Sequence, residues 1–275
     1  VRTPFGNFGG SLARSRVDDI GALVIKELMN RNLKIPKEAI EEVIMGCANQ
    51  AGEDNRNVAR MSSLLAGLPY SVPGETINRL CASGMSSVIH ASRIIRLGDA
   101  EIVVAGGMEN MTRGPWVISK ASKAFGRDVK MHDSSFGWRF INPKIDTMFG
   151  TDSMGSTAEN LAEMYRISRK DQDNFALNSQ KKAARAQSKG RFDIEIISVE
   201  IPKRKEESII FSKDEFIKAN SSMEVLGKLK PAFKKNGTVT AGNASGLNDG
   251  AAAMLLASKD AIDKYKLNPM AKIIC

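Results

Sequence analysis

The chain has 275 residues, 42% of them hydrophobic and 26% charged, enough apolar material to bury a globular core and far from a disordered or collagen-like polymer. Its three cysteines, Cys47, Cys81 and Cys275, show no CxxC spacing, which argues against a disulfide framework or a structural zinc site and for a reducing, cytoplasmic setting. A net charge of +9 would suit nucleic acid or a phosphate-bearing small molecule; the basic residues at Lys203, Arg204 and Lys205 and at Lys228, Lys230, Lys234 and Lys235 read as solvated faces, and no aromatic interleaving or helix-turn-helix pattern favours nucleic acid.

The opening VRTPFGNFGG (Val1 to Gly10) has neither an initiator methionine nor the apolar centre of a signal peptide, so the chain is expected to begin inside a longer product. No run approaches the roughly 18–20 apolar residues that span a bilayer. Val17 to Asn32 carries Ile20, Leu23, Val24 and Leu28 at helical spacing, with Asp18 and Asp19 at its positive end, and predicts an amphipathic helix. Glu42 to Gly46 predicts a buried strand, Asn57 to Ala66 a helix, and Gly74 to Leu80 a second strand. A helix over Gly84 to Leu97 and a buried strand over Glu101 to Ala105 complete a βαβ pattern, hence an α/β fold with a parallel or mixed sheet covered by helices.

From about Met111 to Lys235 aromatic and polar residues mix irregularly, which predicts an inserted loop domain. Capping patterns start at Ser156, three residues before Glu159, and at Ser168, three before Asp171, opening helices toward Arg166 and Gln187. Gly242 to Gly250 is turn-rich, Ala251 to Ala257 predicts a strand, and Ser258 caps a last helix through Tyr265. The expected division is 1–110 sheet domain, 111–235 insertion, and 236–275 return to the sheet domain.

Cys81 falls between a predicted strand and a predicted helix. Unpaired N–H groups and the positive end of a helix favour a nucleophilic thiolate there, and the small Ala82, Ser83 and Gly84 leave room for an acyl group. The competing reading, a small buried hydrophobe, stays open from the residues alone. Cys47, just past an apolar strand, reads as structural, and Cys275 gives no basis for a role. His90 lies nine positions beyond Cys81, a helical rise of roughly 13 Å and too far for a base; His132 reads as a surface or packing residue.

The segments NRLCASGMSS (Asn78 to Ser87), AGGMENMTR (Ala105 to Arg113), MGSTAENLA (Met154 to Ala162) and GTVTAGNASGLNDGAAA (Gly237 to Ala253) resemble, in order and spacing, the amino-terminal half of the thiolase family. The GWRFINP segment (Gly137 to Pro143) resembles the degradative branch acting on 3-oxoadipyl-CoA. The resemblance implies a layered α/β fold with a mixed, mostly parallel five-stranded sheet flanked by helices. It also implies an acetyl-CoA acyltransferase in which Cys81 forms an acyl-enzyme. Coenzyme A, acetyl-CoA and 3-oxoacyl-CoA would be substrates, no cofactor would be resident, and the enzyme would be a cytoplasmic homo-oligomer binding neither nucleic acid nor membrane.

Carried over by motif, Ser245 and Ala241 would touch the pantetheine arm, Ala232 and Phe233 would line the CoA groove, and Met154 would border the acyl pocket. Glu109 and Asn248 read as structural loop residues. Ser153 stands where biosynthetic members carry histidine, a departure that resembles the degradative and oxoadipyl branches. The family's NEAF, GHP and CxG strings do not occur here, so the carboxyl-terminal half is expected to be absent and the chain inactive alone; its first strand, expected in the middle of the sheet, is also missing. The alternatives are another condensing enzyme of the same fold, or a non-catalytic CoA-binding module.

Overall fold

The computed structural model describes residues 1–49, 52–203 and 207–274; Arg204, Lys205 and Cys275 lie outside the described residues. In chain order the elements are β1 (Gly6–Asn7), α1 (Val17–Asn30), β2 (Glu42–Gly46), α2 (Val58–Leu65), β3 (Gly74–Ile77), α3 (Ser83–Leu97), β4 (Ile102–Asn110), β5 (Trp116–Ile118) and β6 (Met131–Asp133). There follow α4 (Pro143–Phe149), α5 (Met154–Met164), α6 (Arg169–Ser188), β7 (Val199–Ile201), β8 (Ile209–Phe211), α7 (Met223–Gly227), β9 (Asn248–Ala257) and α8 (Lys259–Tyr265).

The chain divides into two compact units: Val1–Gly114 with Asp193–Asp214 and Asn248–Cys275, and Pro115–Phe192 with Glu215–Leu247. The first is built on a five-stranded sheet of order β1-β9-β4-β2-β3. Strands β3, β2 and β4 run parallel, and β9 and β1 continue the sheet antiparallel. Successive side chains of a strand face opposite sides, and the apolar run of β2 uses both. Val43 and Met45 join the core under α1 and α2, whereas Ile44 joins Val103, Ala105 and Ala91 under α3. This double coverage is why β2 and β4 read as near-continuous apolar runs.

Several expectations need correction. No gap opens in the middle of the sheet: β4 pairs directly with β2 and β9, and the amino-terminal segment lies beyond β9, with the Val1 nitrogen donating to the Ala253 carbonyl at 2.9 Å. Strand β4 extends past Ala105 to Asn110 because Glu109 and Asn110 pair with Gly250 and Asp249. Glu109 and Asn248 therefore sit on strands, not in loops. The expected insertion over 111–235 is not continuous either. Asp193–Asp214 belongs to the sheet unit because Ile197, Val199 and Phe211 enter its core and Arg2 pairs with Glu195 and Asp214 at 3.0 and 2.8 Å.

The second unit contains the β5–β6 ribbon and α4 to α7. Ser168 caps α6 as expected, its hydroxyl accepting from the Asp171 N–H at 3.2 Å. Helix α5 starts three residues earlier than the SxxE pattern implies. Its cap is Ser153, whose Oγ accepts from the Ser156 N–H at 3.2 Å, and Glu159 turns to a different task. The basic run in this unit is partly paired across the surface, Lys228 with Glu224 at 2.5 Å and Lys234 with Glu163 at 2.8 Å. Among the described residues no helix is long and apolar enough to cross a membrane.

Candidate functional site

Strand β3 ends at Ile77 rather than Leu80 because the chain turns on its own side chains. The Asn78 Oδ1 accepts from the Leu80 N–H at 2.9 Å, and Leu80 takes a left-handed φ of 48°. A non-glycine residue rarely adopts that conformation unless its surroundings fix it. Ser83 supplies the other fixing point: its Oγ accepts from the Arg79 N–H at 2.8 Å and donates to the Leu80 carbonyl at 2.6 Å. Cys81 therefore sits in a turn held from both sides, two residues ahead of α3, and its thiol is free and exposed.

The helix that follows is pressed onto the sheet. A side-chain carbon at Gly46 would lie 2.2 Å from the Ser83 carbonyl carbon and 2.4 Å from the Gly84 nitrogen, so only glycine at the end of β2 lets α3 begin where it does. Ser87 then ties the helix to β4, its Oγ donating to the Gly106 carbonyl at 2.6 Å and accepting from the Gly106 N–H at 3.1 Å.

Cys47 is the contrasting cysteine. It is 1% exposed, and burial, with Glu109 and Asp54 nearby, pushes its thiol well above the usual range, which leaves an inert side chain. Glu109 accepts from the Ala48 N–H at 2.7 Å and the Asn49 N–H at 3.2 Å; burial raises its carboxyl in spite of those bonds. His90 is on α3 beyond Cys81, and the His132 ring packs edge-on against Phe140 at 4.9 Å in the second unit. Asn248 donates to the Gly6 carbonyl at 2.9 Å and joins β9 to β1. Among the described residues no group of three or more potential ligands is placed to hold a metal ion.

Met154, Ala232, Phe233, Ala241 and Ser245 all belong to the second unit, and all five are exposed. Met154 opens α5, and the Phe233 ring lies directly over the next residue: a side-chain carbon at Gly155 would meet Phe233 Cδ1 at 2.1 Å. Phe233 is thus seated on the first turn of α5, against the residue that follows Met154. Ala232 is fixed by its N–H on the Val239 carbonyl at 2.9 Å.

What holds these exposed residues is a set of buried polar groups that the motif reading passes over. Glu159 accepts from the Thr238 N–H at 2.9 Å, the Val239 N–H at 2.7 Å and the Thr238 hydroxyl at 3.1 Å. Burial alone would raise its carboxyl, but these donors outweigh it and hold the group below its ordinary range. Asp173 of α6, paired with Arg169 at 2.8 Å, accepts from Asn243 Nδ2 at 2.9 Å. Asn243 Oδ1 in turn accepts from the Thr240 N–H at 2.8 Å, closing the Thr240–Asn243 turn that carries Ala241. The sequence signal for Glu159 was present as an acidic residue on the inner face of α5, but the same SxxE spacing also describes a cap.

Residues 1–260 match the family described as thiolase, N-terminal domain. The chain is 53% identical over 274 residues to a beta-ketoadipyl-CoA thiolase of Acinetobacter baylyi, covering all of this chain and 68% of that protein. It is 50% identical to a 3-oxoadipyl-CoA/3-oxo-5,6-dehydrosuberyl-CoA thiolase of Escherichia coli, again over 68% of that protein's length. Among solved structures, the acetyl-CoA acetyltransferase of Bacillus anthracis superposes with a TM-score of 0.87 at 38% identity, over 98% of this chain and 66% of that one. The chain spans about two thirds of the length of these proteins, and it belongs to the thiolase family.

Proposed function

We propose that this chain carries the nucleophile and part of the CoA-binding surface of a thiolase acting on 3-oxoacyl-CoA of the 3-oxoadipyl type. The observation that carries the reading is the exposed Cys81 sulfur on a turn pinned by Asn78 and Ser83 at the start of α3. In this reading the Cys81 thiolate attacks the 3-oxo carbon. The C2–C3 bond breaks, its electron pair passes to C2 of the departing acetyl-CoA, and that carbon takes up a proton. The shortened acyl group stays on sulfur as a thioester, which suits the exchange because one thioester replaces another. The thiol of a second CoA, losing its proton, attacks the acyl carbon and releases acyl-CoA and the Cys81 thiolate.

Met154 borders the acyl group, and Ala232, Phe233, Ala241 and Ser245 lie along coenzyme A. The acid and base of both steps are assigned to the histidine and second cysteine of the family pattern, which these 275 residues do not contain. The working enzyme is, on the same reading, a cytoplasmic homo-oligomer taking CoA and acyl-CoA as substrates with no resident cofactor. The relatives named for 3-oxoadipyl-CoA support the substrate class.

The test is intact-mass detection of an acyl adduct after mixing the complete enzyme with 3-oxoadipyl-CoA. The adduct is expected on the Cys81 peptide and absent in Cys81→Ser. An undiminished adduct in that variant removes Cys81 from the role.

A further inference from the structure

We infer that Glu109 and Asn78 form a relay of positioning residues that sets the Cys81 turn from the far end of β4. Past Gly46 the chain leaves the sheet through Cys47, whose N–H donates to the Ile77 carbonyl at 3.1 Å, and then through Ala48 and Asn49. The Glu109 carboxylate accepts from both of the next two N–H groups, Ala48 at 2.7 Å and Asn49 at 3.2 Å. The carbonyl of the same Ala48 peptide segment accepts from Asn78 Nδ2 at 3.0 Å, and the other end of that amide, Oδ1, accepts from the Leu80 N–H at 2.9 Å. Leu80 is the left-handed residue immediately before the nucleophile.

Each link is specific in kind. Glu109 offers two oxygens to two successive N–H groups, and Asn78 alone combines a donor toward Ala48 with an acceptor toward Leu80. A carboxylate in place of the Asn78 amide keeps the second bond and loses the first. Because Asn78 is itself exposed, what it stabilises is the local geometry of the turn rather than the core. The use of that turn for acyl transfer rests on the function proposed above; the relay itself does not.

The measurement is the iodoacetamide alkylation rate of Cys81 across pH, resolved by peptide mass so that buried Cys47 does not contribute, together with thermal unfolding and acyl-adduct formation. Asn78→Ala and Glu109→Gln are each expected to slow Cys81 alkylation by about two- to fivefold at pH 7, the worth of losing a charge's placement at a helix start. The double variant is expected to be no slower than the worse single, because both act through one chain of contacts. Asn78→Asp is expected to recover part of the rate, and it decides the matter should Asn78→Ala not fold. Unchanged Cys81 rates and pH profiles in folded single variants overturn the relay, as do effects that multiply in the double. If the unaltered enzyme forms no acyl adduct, the proposed function fails while the alkylation comparison still decides the relay.

Discussion

Replacing Gly46 by alanine tests whether the start of α3, and with it Cys81, is placed by the end of β2. The new methyl would stand 2.2 Å from the Ser83 carbonyl carbon, 2.4 Å from the Gly84 nitrogen and 2.5 Å from the Ser83 oxygen, all backbone atoms that no rotamer change can remove. Carbon atoms rest at about 3.5–4.0 Å, so the helix start must move by on the order of 1 Å. Overpacking of this kind costs about 1–3 kcal/mol, or a Tm lower by roughly 2–5 °C for a chain of this size. A displacement of about 1 Å at a reacting group costs as much as ~100-fold in rate, so acyl-adduct formation is expected to fall further than stability suggests. Gly84→Ala is the control for stability alone, because added bulk beside Cys81 would also crowd an acyl group. Its added carbon would meet nothing closer than the Gly106 oxygen at 3.8 Å, and alanine in a helix is favoured over glycine by about 0.5–1 kcal/mol. The variants are compared by calorimetry and by single-turnover adduct formation. A Gly46→Ala protein that melts with the unaltered one and labels at the same rate refutes the argument, as does a Gly84→Ala protein that melts lower by the same amount.

Two further expectations concern charge. Glu159→Gln is expected to destabilise the second unit by about 1.5–3 kcal/mol, the range for hydrogen bonds to a charged group. Because the folded carboxyl is held below its ordinary range, its contribution is present above about pH 4.3 and lost as pH falls through the folded value, so the gap to the variant should close on acidification in unfolding titrations; a gap that widens contradicts the assignment. Asp214 accepts from Arg2 at 2.8 and 3.0 Å and from the Phe5 N–H at 2.8 Å. Asp214→Asn should therefore release the amino-terminal segment, seen as faster hydrogen exchange at the Thr3 N–H, which donates to the Ala251 carbonyl at 2.9 Å, and at the Ala251 N–H, which donates to the Thr3 hydroxyl at 3.1 Å.

The regular part of the fold could be read from local pattern because its cause is local. A strand covered on both faces needs apolar residues at successive positions, and β2 after Glu42 and the first half of β4 have them. Ser168 and Ser258 cap α6 and α8 for the same reason, since the acceptor and the N–H it serves are three residues apart. Where contacts span the chain, local pattern carries no trace of them. Strands β7 and β8 are three residues each, and what ties their region to the sheet unit is Arg2, some 190 residues upstream, together with Ile197, Val199 and Phe211 in that unit's core. At Ser156 the pattern misled, because an acidic residue three places after a serine describes equally a cap and a side chain that points away to another loop.

The candidate residues themselves divide by burial in a way that the motifs do not reveal. Those assigned to substrate, Cys81, Met154, Ala232, Phe233, Ala241 and Ser245, are all exposed, and a side chain that touches a ligand has to be. An exposed residue has few neighbours to hold it, so its position must be set by the main chain beneath. In the second unit that main chain is gripped by Glu159, Asp173 and Asn243; in the first it is gripped by Asn78, Ser83 and Glu109. Every one of these contacts either ends on a backbone N–H or carbonyl or positions a side chain that does. Loss of a gripping residue should therefore disturb the chemistry through geometry, leaving the exposed groups intact but misplaced, and its signature is a rate that falls while the reacting side chain is still present.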